Sequence, residues 1–426
     1  MQAVTQLRAV GPQDLPLYDG AARSRFAPAA VQRHAPFATQ FVTARFDAAL
    51  EYLGDPEAFP LFAAASRTVT CELRPVGTLL RSCTLQLTLP ALPQREQGAA
   101  YVRWTPSVAF AMLERVELLV DGNVLQRFSG KYMRLASERH AGAARARGFD
   151  RMTGRGASHD GVAPVTYHLP LPFCFERGSA LPFAPFRRGA LLQVRLRVRP
   201  LLQCVVSNRV LTQSFHERVL CRAHVVYEVV HESASAFAPQ TRSLLLEEVL
   251  EQEATLPAGT RQTHLHLETS RATKECFWTV QDAADAQQHT VFGNRHVATD
   301  GWHRSRLASL PRGVSLPPAV RTAQVFLANQ AREPSMQDGD GVDEAFFRLV
   351  QPYKHGAVPA DYVYGYTFAA EPRAFEPSGH HDFSATTNHL FLELQPGLRS
   401  VLVRFYAVVY NVLMFKDGQA SLRYVD

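Results

Sequence analysis

The chain is nearly without lysine. Of its 45 basic residues only Lys131, Lys274, Lys354 and Lys416 are lysines, and the remaining arginines are scattered through the length rather than gathered in a block. The net charge of +6 is therefore not concentrated anywhere, and scattered charge does not make a polyanion site. The six cysteines (Cys71, Cys83, Cys174, Cys204, Cys221, Cys276) contain no Cys-x-x-Cys pair, which argues against a zinc or redox motif and for buried, reduced thiols. No apolar run approaches the roughly 18 residues of a membrane span, and the first residues lack the pattern of a secretory signal. A chain made and folded in a cytosol-like compartment is expected. Asn-x-Ser/Thr sequons are also missing, as are a Gly-x-Ser-x-Gly elbow, a phosphate loop and a dinucleotide fingerprint. No catalytic residue and no cofactor is assigned.

What is present is strand pattern. In the 426 residues, 46% are hydrophobic and 20% charged, with 27 Pro and 25 Gly spread throughout, which suits a folded, loop-rich protein of two or three domains. Residues 191–199 alternate, with Leu192, Val194, Leu196 and Val198 on one face and Gln193, Arg195, Arg197 and Arg199 on the other. Leu85, Leu87 and Leu89 repeat the pattern, as do Leu265 and Leu267. Residues 401–414 are almost continuously apolar and predict a strand covered on both faces. Asp121-Gly122 and Asp417-Gly418, each between apolar runs, predict hairpins. The best helix candidate is short, Ser243 to Glu251, with Leu245, Leu246, Val249 and Leu250 at helical spacing. Segments 137–164, 281–318 and 330–345 read as long loops. A polar patch around Ser207 to Ser214 suggests a domain boundary, and no motif repeats between the two halves.

Several groups invite a chemical reading. His264, His266 and Glu268, with Pro377, Gly379, His381 and Asn388 further on, resemble the two halves of a cupin metal site, but His264, His266 and Glu268 fall on the polar face of an alternating strand, where solvated histidines are common. Arg139, Arg145, Arg147, Arg151 and Arg155 form a basic stretch with one aromatic, Phe149, and read better as a solvated or intersubunit loop than as a nucleic-acid site. His380-His381-Asp382 reads as a polar turn after Pro377-Ser378-Gly379.

Taken in order, the motifs resemble those of the double jelly-roll major capsid proteins of nucleocytoplasmic large DNA viruses, in the algal-virus and giant-virus branch. The likeness is carried by VGPQDLPLY (10–18), RHAPFATQFVTARF (33–46), VGTLLRSCTLQLTLPAL (76–92), YVRWTPSVAFAMLERVELLVDGNVLQR (101–127) and 169–200. In the second half it is carried by KECFWTVQ (274–281), FFRLVQPY (346–353), Pro377-Ser378-Gly379 with Asp382-Phe383-Ser384, and YAVVYNVL (406–413). The family often has Asn where this chain has Asp382, and 137–164 and 281–318 align with nothing.

The resemblance implies an all-β chain of two consecutive eight-stranded jelly-roll sandwiches with long loop insertions and few short helices. Its expected parts are an N-terminal arm over 1–25, a first jelly roll over 26–205, a linker over 206–218 and a second jelly roll over 219–426. It implies a structural subunit, not an enzyme, without metal or cofactor. Homotrimeric, pseudo-hexagonal capsomers would tile the icosahedral shell of a large double-stranded DNA virus. Partners would be neighbouring capsomers and minor capsid and penton proteins, with no direct nucleic acid and at most indirect contact with an internal viral membrane. The protein would be made in the host cytoplasm and reside in the virion. The alternative is a jelly-roll carbohydrate-binding or cupin-like metal protein.

Overall fold

The structure is a computed structural model that describes residues 37–424 apart from 94–101, 233–241, 284–317, 333–341 and shorter stretches of six residues or fewer. Eight main strands build the first unit, with the short strands Val102–Trp104, Leu181–Pro182 and Val205–Ser207 at its margins. The main strands are β1 (Phe37–Arg45), β2 (Arg67–Glu72), β3 (Leu79–Leu89), β4 (Leu113–Val120), β5 (Asn123–Phe128), β6 (Val165–Pro170), β7 (Leu192–Val198) and β8 (Arg222–Glu232). Two antiparallel sheets result, with orders β1-β8-β3-β6 and β2-β7-β4-β5. Alternation explains the layering: Leu85, Leu87 and Leu89 of β3 and Val194, Leu196 and Val198 of β7 are all buried in one core between the sheets.

The second unit repeats the plan. Its main strands are β9 (Arg242–Leu256), β10 (Gln262–His266), β11 (Ala272–Asp282), β12 (Val320–Leu327), β13 (Gln330–Ala331), β14 (Tyr364–Thr367), β15 (Asn388–Leu394) and β16 (Val401–Lys416), with the short strands Val342–Asp343, His381–Asp382 and Gln419–Leu422 added at their margins. The sheet orders are β9-β16-β11-β14 and β10-β15-β12-β13, which are the first unit's orders with eight added to each strand. Each unit is thus a jelly roll of four strands on four, and the halves share a fold that no repeated motif announces.

The hairpin at Asp121-Gly122 forms as read. Val120 pairs with Asn123, both turn residues have positive φ (50° and 81°), and Asp121 is fixed by accepting the Leu191 amide at 2.7 Å. The other hairpin pairs Lys416 with Gln419, while Asp417 and Gly418 lie outside the described residues.

Three expectations are corrected. Ser243 to Glu251 is strand, not helix: β9 pairs residue by residue with β16 from Arg242↔Phe415 to Leu256↔Val401, and this long ladder outweighs the local helical spacing of its leucines. Residues 137–164 are not a plain loop. They carry the last turn of α1 (Gly130–His140) and all of α2 (Ala143–Thr153). Ser129 caps α1 by accepting the Tyr132 amide at 3.1 Å, and Gly154, at φ 67°, ends α2. Finally, β8 lies beyond the expected 206–218 linker and yet belongs to the first sandwich, where it sits between β1 and β3. The first jelly roll therefore runs through Glu232, because its last strand must return beside its first. The 281–318 loop beyond Ala283 and the 1–25 arm lie outside the described residues.

The two sandwiches are locked side by side. In β16, Val403, Phe405, Ala407 and Val409 enter the second core, while Tyr406 and Val408 point the other way into the core of the first sandwich. Phe277 of β11 does the same, with Cys276 and Trp278 facing the second core. This is the physical reason for the unbroken apolar run: both faces are covered. Tyr132 of α1 reaches across, its ring 5.8 Å from Phe277, 6.1 Å from Tyr406 and 5.6 Å from Phe128. Gln126 adds a polar stitch, donating to the Glu247 carbonyl and accepting from the Cys174 amide, both at 2.8 Å. Glu247 in turn pairs with Lys274, whose side chain is 1% exposed.

Candidate assembly surfaces

The residues with chemical promise do not converge. His264 and His266 are exposed on the outer face of the β10-β15-β12-β13 sheet, as their alternation indicates, and Glu268 is exposed just past the end of β10. Beside them His389 stacks on Phe326 at 4.4 Å, and His264 lies 5.2 Å from His389 and 5.0 Å from Phe391. Burial, then the neighbouring His264 and His266, hold His389 below the usual imidazole range. Asn388 points inward instead. It donates to the Phe383 carbonyl at 3.3 Å and accepts from the Ala328 amide at 3.4 Å, a structural role. His381 packs against Phe368 and Phe383, and Asp382 accepts both the amide and hydroxyl of Ser384, which holds its carboxyl below the usual range. His381 and Asp382 are thus not the polar turn the sequence suggests but a two-residue strand paired with Thr273 and Ala272 of β11, and the turn follows at Phe383-Ser384. Among the described residues no group of three His, Cys, Asp or Glu is placed to hold a metal ion.

The basic stretch is divided rather than pooled. Arg155 is turned inward, donating to Asp150 at 2.6 Å and Ser137 at 3.1 Å, with its guanidinium 5.1 Å from the Phe149 ring. Arg147 and Arg151 are exposed, and the side chains of Arg139 and Arg145 lie outside the described residues. The cysteines are all free. Burial raises the thiols of Cys71, Cys83, Cys174, Cys204 and Cys221, the opposite of what a nucleophile needs.

The surfaces that stand out are extended sheet faces and edges. On the outer face of the β2-β7-β4-β5 sheet, Glu117 is 7% exposed at its side chain and sits among Arg195 at 2.6 Å, Arg127 at 3.4 Å and Arg115 at 3.9 Å. Next to it Arg197 pairs with Glu114 at 3.1 Å. Alternation along 191–199 places Arg195 and Arg197 on a wet face. The cross-strand glutamates that order them come from β4 and become visible only once β4 and β7 are known to be neighbours. A second feature is the edge strand β1, on which Phe37 and Phe41 are 60% and 68% exposed.

Two jelly rolls in tandem define a double jelly-roll protein. The comparisons agree with that class. Residues 234–421 match the family model for the large eukaryotic DNA virus major capsid protein, and residues 56–219 match that for the major capsid protein N-terminus. The major capsid protein of Phaeocystis pouchetii virus is 22% identical across 98% of each chain. That of Chrysochromulina ericina virus is 36% identical over 111 residues, which cover 25% of this chain and 18% of that one. Among solved structures, PBCV-1 VP54 superposes with a TM-score of 0.72 at 17% identity, over 94% of this chain and all of that one. The Faustovirus major capsid protein does so at 0.68 and 10% identity, over 94% and 93%. The chain belongs to the major capsid proteins of large eukaryotic DNA viruses.

Proposed function

We propose that the protein is the shell-forming subunit of an icosahedral virion and that it works as a trimer. The observation that carries the reading is the pair of like-ordered sandwiches fused by the two-sided burial of β16. One protomer thereby offers two similar blocks, so three protomers about a threefold axis present six, a pseudo-hexagonal outline that can tile a closed surface. A threefold ring uses heterologous contacts, in which one surface of a protomer meets a different surface of the next. The ion-paired outer face of β2-β7-β4-β5 and the histidine-aromatic outer face of β10-β15-β12-β13 are two such unlike surfaces. Function is then assembly without turnover, with neighbouring capsomers, penton proteins and minor capsid proteins as partners and residues 1–25 as an arm toward the last of these. Synthesis falls in the host cytoplasm and residence in the capsid shell.

Negative-stain images of the purified protein test this. Threefold-averaged particles with a hexagonal outline are expected. A homogeneous field of elongated two-lobed monomers at high protein concentration would contradict it.

A further inference from the structure

β1 forms one edge of its sheet, and along its outer side no strand pairs with it among the described residues. It runs nine residues against β8 without a bulge, about 30 Å at the usual rise per residue. Proteins blunt such edges with lysine, proline, a bulge or a charge in mid-strand, because an open row of amides and carbonyls templates pairing with another chain. The sequence FATQFVTAR has none of these; its only charge is Arg45, at the end. Five of its residues share the outward side by the period of two, namely Phe37, Thr39, Phe41, Thr43 and Arg45.

We propose that this edge is a twofold contact between two copies of the chain, in which β1 pairs antiparallel with β1 of a second copy, centred on Phe41. The assignment rests on the capsid reading above and adds to it a contact between capsomers, distinct from the threefold one within them. Self-complementarity singles out a second copy as the occupant. Centred on Phe41, the register sets Phe41 against Phe41, Thr39 against Thr43 and Phe37 against Arg45, on one face. These are an aromatic pair, a threonine pair and a cation over a ring, all favourable across strands. The other face sets Ala38 against Ala44 and Gln40 against Val42, so no like charges oppose each other. Beside the strand lies an open groove of about 830 Å³ lined by residues including Val42, Arg45, Leu50, Thr70 and Tyr227, which leaves room for an added backbone. A twofold contact closes on itself, and a trimer would carry three such edges, so a modest single pairing gains from multivalency.

Single cysteines test the register. Oxidised Phe41→Cys protein is expected to give a covalent dimer, because opposed residues in an antiparallel pair lie at about 4.5–5.5 Å between Cα atoms, within disulfide reach. Phe37→Cys alone is expected to stay uncrosslinked, but to crosslink when mixed with Arg45→Cys. Background is low, since five native thiols are buried and Cys174 is partly so. Phe41→Asp, which opposes like charges, is expected to keep the capsomer mass and to lose all larger particles. Uncrosslinked Phe41→Cys, together with Phe41→Asp growing into particles as the native chain does, would overturn the proposal. The crosslink is readable on monomers and trimers alike, so a failure of threefold closure and a failure of this contact are separate results.

Discussion

Tyr132→Ala is expected to destabilise the protein by about 3–5 kcal/mol, the cost of truncating a large buried aromatic, and to split its thermal unfolding into two transitions. The ring is 3% exposed and is shared by both halves, through Phe128 on one side and Phe277 and Tyr406 on the other. Each sandwich has its own four-on-four core, so the cavity left by alanine lies mainly between them. The sandwiches should then unfold less cooperatively while each keeps its own strands. Scanning calorimetry reads both effects. A single transition at the native temperature would show that α1 does not couple the halves. Because the capsomer reading needs one rigid two-block subunit, the same variant should also assemble poorly.

The second large effect concerns the ion pair at that joint. Lys274 is 1% exposed at its side chain and Glu247 22%, and they are partners across the β9, β16 and β11 region. Glu247→Leu leaves the ammonium buried without its carboxylate, which is expected to cost about 3–5 kcal/mol. The double variant Glu247→Leu with Lys274→Met removes both charges together and should recover most of that loss, because a buried pair stabilises little relative to well-packed apolar groups. Denaturant midpoints of the two variants decide it. A single variant within about 0.5 kcal/mol of the native chain would mean that Lys274 has adequate solvation without Glu247.

How much of this was legible in the sequence depended on whether the deciding interaction was local. The alternation of Leu192 to Val198 and the Asp121-Gly122 turn are set by neighbours in the chain, and both read correctly. The apolar run at 401–414 correctly announced two covered faces, although the sequence could not say that the second cover is the other sandwich. Ser243 to Glu251 misled because its leucines fit a helix as well as a strand, and the fifteen-residue pairing with β16 that decides the matter is more than 140 residues away. The domain boundary failed for a related reason. The polar patch near Ser207 looks like a linker, and only the pairing of β8 with β1 and β3 shows that the first jelly roll is not yet closed there.

The candidate surfaces followed the same rule. His264 and His266 were placed on an outward face by their spacing, whereas His389, Phe326 and Phe391 join them through pairings of β15 with β10 and β12. Glu117 and Arg195 are 78 residues apart and meet only through the β4 to β7 register. The ordered family motifs supplied what local patterns lacked, since they point to the tandem architecture that pairs these strands.

The central claim is that three copies close into one capsomer, and the most direct test is the mass of the purified protein by light scattering after size exclusion. A species of about 142 kDa, three times the 47.4 kDa subunit, is expected. A stable 47.4 kDa monomer across the accessible concentration range would contradict it.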